Sequence, residues 1–387
     1  MNLKKFSFVA IASAVMIFAA CSSDSSSNPN RESDSSSSKE ISSSSAEQNE
    51  DAEAIQALVE EMPNMLLTEK NGSNIWLIAG STGIYSLWAI DPTSNTTSYA
   101  TVATKGDITT GKLTFSKQTD GFVYSMVEQG EAFAKWLEKG ITLEFSVDDG
   151  ALMVSIDGAD PVAVEKATRK VTSGYLSKAD SLVGKSLVWS KGDSTQTYRF
   201  YKNGEYVRVF GDADLFEAGY YDVHRQQLLM LPAQFVGSVS ALTSYSVKIG
   251  DDSYELDDQV STKTYKVSSI KVSYPDIDLL YANGWESTSE DGDLLWTLDM
   301  LENNRYVLDA KTGITDNTLK VRRKGEWNVF GDYLVLTVDT CLANESVQCP
   351  TERGQILKLN SETLEFDNFD DSNKYATPKE WSAVIEE

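Results

Sequence analysis

The second half of this 387-residue chain is written twice. YRFYKNGEYV (198–207) matches LDMLENNRYV (298–307), GYYDVHRQQLLML (219–231) matches GEWNVFGDYLVLT (325–337), and VKIGDDSYELD (247–257) matches LKLNSETLEFD (357–367). The blocks keep their order, and the offset drifts only from 100 to 110, as loop insertions produce. Such self-similarity marks one supersecondary unit built repeatedly. Apolar and polar residues alternate within each block, which is the period of a half-buried strand. Two homologous β modules are expected, at 174–275 and 276–387. Residues 64–173 read as a third, degenerate β module, with IYSLWAI (84–90), GKLTFS (111–116), ITLEFSVDDGALMVSI (141–156) and PVAVEKA (161–167) in the same order. MVEQGEAFAKWLEK (126–139) departs from the pattern and reads as an inserted helix.

Asn203–Gly204 is a two-residue hairpin signal, because a type I′ turn needs positive φ at both central positions. That turn pairs Tyr201 with Tyr206 and Phe200 with Val207. It puts Tyr198, Phe200, Val207 and Val209 on the inner face. In the later copy Asn303–Asn304 makes the turn, with Leu298, Met300 and Val307 inward and Leu301, Tyr306 and Leu308 outward.

The N-terminus has a different character. Lys4 and Lys5 precede a short apolar run at 6–20, which reads as a signal peptide over residues 1–20. At about 1.5 Å per residue the run makes roughly 22 Å of helix, short of a hydrocarbon core of about 30 Å. Phe18–Ala19–Ala20–Cys21 resembles the lipobox of bacterial lipoproteins. The resemblance implies a lipidated Cys21 as the mature N-terminus, and Ser22 after it implies sorting to the outer membrane. Residues 21–45 contain fourteen serines and almost nothing apolar. A segment that buries so little cannot offset its ordering entropy, so 21–50 is expected to be a disordered tether. Ile55, Leu58, Val59 and Met62 then fall at helical spacing, which predicts an amphipathic helix over 51–63 that covers a sheet or barrel end.

Lys plus Arg number 34 against 58 Asp plus Glu. Loss of Lys4 and Lys5 leaves 32 − 58 = −26, a surface that repels nucleic acid. The three cysteines are Cys21, Cys341 and Cys349. In an exported chain the last two make an even pair, expected to bridge, with two free thiols as the alternative. A bridge closing so short a loop contributes roughly 2–3 kcal/mol.

The stretch LVGKSLVW (182–189), followed by YRFYKNGEYV, GYYDVHRQQLLML and SVKIGDDSYELDD (246–258), is similar to the lipocalin-like domains of bacterial lipoproteins. That resemblance implies an all-β fold of tandem small antiparallel barrels or barrel-like sandwiches, with a tryptophan closing one end. Trp189 and Trp285 are expected at that position. No ligand comes with the resemblance.

The single histidine, His224, argues against histidine triads and multi-histidine zinc sites. Its counterpart in the next module is Phe330. No phosphate-binding glycine loop appears, no cofactor or metal is implied, and the acidic turns at 147–151, 289–295 and 369–373 read as solvated β-turns. Residues that the copies do not share are where a module-specific role could lie: Trp88, His224, Arg225, Trp296 and the Cys341–Cys349 loop. Trp296 aligns with Gln196 and, with Tyr306 and Trp327, is the candidate wall of a ligand pocket. The expected function is a non-enzymatic outer-membrane lipoprotein that binds a small apolar or glycan ligand. A structural or adaptor role through envelope-protein contacts is the alternative, and a two-carboxylate hydrolase the third reading. If Cys21 is lipidated, Cys21→Ser moves the chain from the detergent phase to the aqueous phase in Triton X-114 partitioning. An unchanged distribution would remove the anchor.

Overall fold

A computed structural model of the chain describes residues 44–70, 72–93, 98–116, 123–126, 138–167, 171–211, 216–236, 243–258, 260–272, 274–289, 292–312, 318–343, 352–367 and 377–384. The signal peptide, Cys21, most of the serine tract, nearly all of the expected inserted helix and Cys349 lie outside them. Helix α1 (Ser44–Glu61) starts inside the expected tether rather than at 51. Its sequence SSAEQNEDAEAIQALVEE explains the earlier start, since acids near a helix N-terminus and good helix formers extend it.

The first module holds β1 (Asn64–Lys70), β2 (Ser73–Ala79), β3 (Ile84–Ile90), β4 (Ser98–Lys105), β5 (Lys112–Phe115), β6 (Val123–Met126), β7 (Ile141–Asp148), β8 (Ala151–Ile156), β9 (Val162–Ala163) and β10 (Glu165–Lys166). It is not a closed barrel. The strands form a sheet β10-β1-β2-β3-β4-β6 and a second sheet β5-β7-β8-β9. Consecutive strands β5 and β6 divide between the sheets, and so do β9 and β10. Counted as one broken strand each, they restore a simple up-and-down order, in which the eighth strand reaches both β8 and β1. One core fills the space between the sheets, joining Leu77 and Leu87 to Leu143 and Phe145, and Ile55 and Val59 of α1 seal it.

The second module is a closed antiparallel barrel of β11 (Lys185–Lys191), β12 (Ser194–Phe200), β13 (Glu205–Phe210), β14 (Phe216–His224), β15 (Gln227–Val236), β16 (Thr243–Ile249), β17 (Ser253–Asp257) and β18 (Thr262–Ser269). The third closes the same way with β19 (Gly284–Thr288), β20 (Leu294–Met300), β21 (Arg305–Thr312), β22 (Leu319–Phe330), β23 (Tyr333–Ala343), β24 (Glu352–Leu359), β25 (Thr363–Asp367) and β26 (Glu380–Ala383). Both barrels carry a bulge in the fourth strand, at Ala218/Gly219 and at Lys324/Gly325. There the fifth strand comes so close that a Cβ would strike the carbonyl of Leu231 or Thr337, which is why both copies have glycine.

The hairpin register differs by one residue from the two-residue turn. Phe200 faces Tyr206 and Tyr198 faces Arg208, while Met300 faces Tyr306 and Leu298 faces Leu308. The Tyr201 N–H donates to the Glu205 carbonyl at 2.9 Å, leaving a three-residue loop that Gly204 ends at φ 66°. In the copy, Asn304 takes that left-handed position at φ 60°. A single left-handed residue after a type I turn closes a three-residue hairpin, as at Asn304, whereas in the second module Asn203 is at positive φ as well, 140°. One slip moves every side chain to the other face. Tyr206, Tyr306 and Leu308 therefore enter the cores, and Val207 and Val209 point out.

The expected tryptophan equivalence also shifts. Trp285 pairs with Leu298, the counterpart of Tyr198, which pairs with Leu187, so Trp285 matches Leu187. Trp189 sits two residues further along, opposite Gln196. Trp285 packs at the end plugged by α2 (Ile277–Ala282), where its indole N–H donates to the Leu280 carbonyl at 2.9 Å. In the second module the turn Ala179–Leu182 serves as the plug. Leu308→Ala removes a fully buried side chain and is expected to lower stability by about 2–5 kcal/mol. Leu301→Ala, at a position 46% exposed, should change it by less than about 0.5 kcal/mol. Urea denaturation reads both, and equal effects would restore the two-residue turn.

Candidate functional site

Strand β3, IYSLWAI, is buried at all seven positions, and β14 at all but Tyr220. One face of each lines its own module, and the other lies against a neighbour. In the first seam Trp76, Ile78, Ile84, Trp88 and Ile90 pack on Leu229 and Leu231. Each buried indole, at roughly 200 Å² and about 25 cal/mol per Å², contributes on the order of 5 kcal/mol. In the second seam Tyr201, Val207, Phe216 and Ala218 pack on Phe330 and Val335. The two seams use equivalent strands: the third of one module meets the fourth of the next, β3 against β14 and β13 against β22.

Each seam also has a hydroxyl locked to a buried carboxylate. Thr82, in the turn between β2 and β3, places its Oγ1 2.7 Å from Asp222 Oδ2 and its N–H 3.1 Å from the same oxygen. One module later, the Tyr201 hydroxyl donates to Asp332 Oδ1 at 2.6 Å. Gln355 donates to the other Asp332 oxygen at 2.9 Å, and Arg199 lies 3.7 Å from it. Burial and the Asp332 carboxylate push the Tyr201 phenol far up, so it stays a donor. Glu205 stands where all three modules meet. It accepts from the Gly331 N–H at 2.8 Å, and the Lys105 ammonium, which lies 3.5 Å above the Tyr220 ring, offsets its charge. Burial nevertheless raises the Glu205 carboxyl.

The first seam gathers the residues that the copies do not share. Trp88 Nε1 donates to Ser86 Oγ at 2.6 Å, and Ser86 Oγ meets His224 Nδ1. His224 Nε2 lies 3.8 Å from Asp222 Oδ2 and has no hydrogen-bond partner. Burial opposes charge on Asp222, but the neighbouring His224 ring and hydrogen bonds from Thr82 and the Val223 N–H outweigh it and hold the carboxyl below its ordinary value. The Arg225 guanidinium lies 5.1 Å from the Trp76 ring and 5.1 Å from the Trp88 ring, within cation–π range. Arg225 and Gln226 form a two-residue turn with φ 49° and 62°, strained for residues with side chains. Two hydrogen bonds between the Gln226 amide and the Thr172 backbone, at 2.6 and 2.7 Å, hold it. Ser86, His224 and Asp222 are the residue types of a hydrolytic triad, yet each is at most 1% exposed, and no substrate reaches them in this arrangement.

The candidate pocket residues lie elsewhere. Trp296 and Tyr306 are 1% exposed and Trp327 is 3% exposed, all within the core of the third barrel. Trp296 lies opposite Ala310 and Tyr306 opposite Met300. Those pairs are four residues apart along β21, about 13 Å at strand spacing. Trp327 donates to the Leu301 carbonyl at 3.1 Å, at the plugged end. The three therefore do not form one wall. Each barrel interior holds an ion pair, and in the second module Arg208 lies 3.6 Å from Glu217. Tyr206 donates to Glu217 at 2.5 Å, whereas beside the matching Tyr306 stands Arg323, paired at 2.5 Å with Glu352. Cys341 is disulfide-bonded, and Cys349 and Cys21 lie outside the described residues.

No protein-family model matches the chain, and no curated protein matches it. Solved structures that align with it include a DNA polymerase sliding clamp from Pseudomonas aeruginosa, with 8% identity over 86% of this chain and 95% of that one and a TM-score of 0.15. The Caulobacter crescentus pol III beta aligns with 11% identity over 88% and 98%, at a TM-score of 0.16. A beta subunit of DNA polymerase from Streptococcus pyogenes gives 8% identity, 86% and 96%, and 0.14. At such scores the likeness bears on neither fold nor activity.

A Cβ on Gly80 would collide with the Asp222 carboxylate, so Gly80→Ala is expected to open the first seam. Faster tryptic cleavage between the first two modules would show it, while the circular dichroism of the barrels stays unchanged. Because the Asp222 carboxyl is depressed, its stabilising contribution is full above its unfolded value of about 3.9 and disappears as pH falls through the lower folded value. The seam should therefore loosen below about pH 4. Asp222→Asn should flatten that part of the acid profile in a Trp fluorescence titration.

Proposed function

We propose that this chain is a lipid-anchored lipoprotein of the bacterial outer membrane whose lipocalin-like modules form a rigid, non-catalytic adaptor. The observation that carries the reading is where the unshared residues sit. Trp88, His224 and Arg225 fasten one module to the next, and Trp296 fills a barrel interior. An adaptor gains from fixed spacing between its surfaces, and two apolar seams with buried carboxylate locks supply it. A ligand carrier built on the barrels would instead need room where Trp296, Leu298 and Tyr306 pack together. The N-terminal sequence supports the anchor: a signal-like run, a lipobox-like cysteine and a serine-rich tether of about 25 residues, reaching roughly 25–30 Å. The strong negative charge speaks against nucleic acid and for solubility at the membrane surface.

In-cell crosslinking followed by affinity recovery tests the adaptor role. A defined envelope protein should crosslink to the wild-type chain and be lost when Gly80→Ala releases the modules from their fixed spacing. Recovery of the chain alone, under conditions that capture a known envelope complex, would overturn it.

A further inference from the structure

Asp222, Asp332 and Glu205 all sit in the contacts between modules, but they are not equally served. Asp222 accepts two hydrogen bonds from Thr82 and one from the Val223 N–H. Asp332 accepts from the Tyr201 hydroxyl and the Gln355 amide, with Arg199 3.7 Å away. The Glu205 carboxylate accepts one hydrogen bond among the described residues, from the Gly331 N–H at 2.8 Å. An ionised carboxylate offers about four acceptor sites, so most of its capacity here goes unmet. The Lys105 ammonium lies 3.5 Å above the Tyr220 ring and offsets the charge only from a distance. The other charged groups around the hairpin are occupied. Arg199 and Asp332 face each other, and Lys202 lies 4.2 Å above the Tyr274 ring.

The surroundings keep water away from this carboxylate. Across the sheet Glu205 is paired with Tyr220, whose ring lies 5.8 Å from that of Phe330 in the third module. The next outward residues on β13, Val207 and Val209, enter the apolar seam. Its neighbour Gly204 sits so close to Thr82 of the first module that a Cβ would collide with it. The matching position in the third module is Arg305, whose charge is paired with Glu326 and Asp339.

We propose that Glu205 is a proton-operated latch at the junction of the three modules, its neutral carboxyl holding them together more tightly than its carboxylate. The proton comes from solvent. A neutral carboxyl still accepts from the Gly331 N–H through its carbonyl oxygen, and it needs no counter-charge. Burial raises the Glu205 carboxyl above its ordinary value, so ionisation works against the docked state. That cost is full above the raised folded value and disappears as pH falls to the unfolded value of about 4.3. Asp222 behaves in the opposite sense, because its carboxyl is held low. Mild acid therefore tightens the junction before stronger acid loosens the first seam.

Calorimetric melting of the full chain in detergent tests the latch. Glu205→Gln keeps the shape and an acceptor oxygen but cannot ionise. Glu302→Gln removes the same charge from the equivalent hairpin of the third module, where the side chain is exposed. At about pH 7.5 Glu205→Gln should melt about 2–4 °C above the wild type, and at about pH 4.5 the two should agree within about 1 °C. Glu302→Gln should stay within about 1 °C of the wild type at both. A Glu205→Gln chain that melts at or below the wild-type temperature at neutral pH would overturn the proposal. So would an offset of the same size at both pH values, which is a packing change. An equal rise in Glu302→Gln would overturn it too, since that marks relief of general charge repulsion.

Discussion

A strand buried on both faces is the constraint on which this molecule depends. An antiparallel strand with one solvated face buries every second residue. β3 buries all seven and β14 nearly all nine. Such strands cannot be left at a surface without exposing a large apolar stripe, so the modules must dock. Because each seam joins the third strand of one module to the fourth of the next, the packing is head-to-tail and could in principle continue. The outer face of the third module is built differently. There the strand equivalent to β13 is β21, whose Arg305 pairs with Glu326 and Asp339 at 3.3 and 2.5 Å, and whose Asp309 holds Arg322 through bonds of 2.7 and 2.6 Å. The outward positions of β13 that meet the third module are instead Val207 and Val209.

The carboxylates inside the seams act on a different link of the chain from sequence to function. Apolar burial supplies the driving force but tolerates sliding, because it is non-directional. Asp222 and Asp332 each accept a hydroxyl from the module before, and leaving either unpaired would strand a charge away from water. That penalty fixes register and orientation more than it adds stability. The strained Arg225–Gln226 turn fits the same account. Its left-handed residues persist because the guanidinium is held beside two indoles and the Gln226 amide is bonded at both ends.

The first module shows what happens when the barrel plan loses continuity. Its fifth and eighth strands each break into two short pieces, and each piece stays with one neighbour. The gap between the sheets admits the apolar side of α1, whose Ile55 and Val59 join the core. Helix α1 is thus part of the folded body.

The amino-acid sequence alone determined the strand alternation, the doubling of the module and its order of blocks, because period-two patterning and turn residues are local properties of the chain. It also singled out Trp88, His224 and Arg225 as unshared, although nothing local says that residues more than a hundred positions apart will meet. Tertiary structure decided which face points inward. Tyr206 and Val207, like Tyr306 and Val307, are adjacent and both apolar, so the pattern reads equally well in either register. The left-handed residue at Gly204 or Asn304 settles it by making the loop three residues long. For the same reason Trp296 looked like a pocket wall and proved to be core. Whether an inward aromatic lines a space or fills it depends on what every other strand brings to that level of the barrel, which no single stretch of sequence contains.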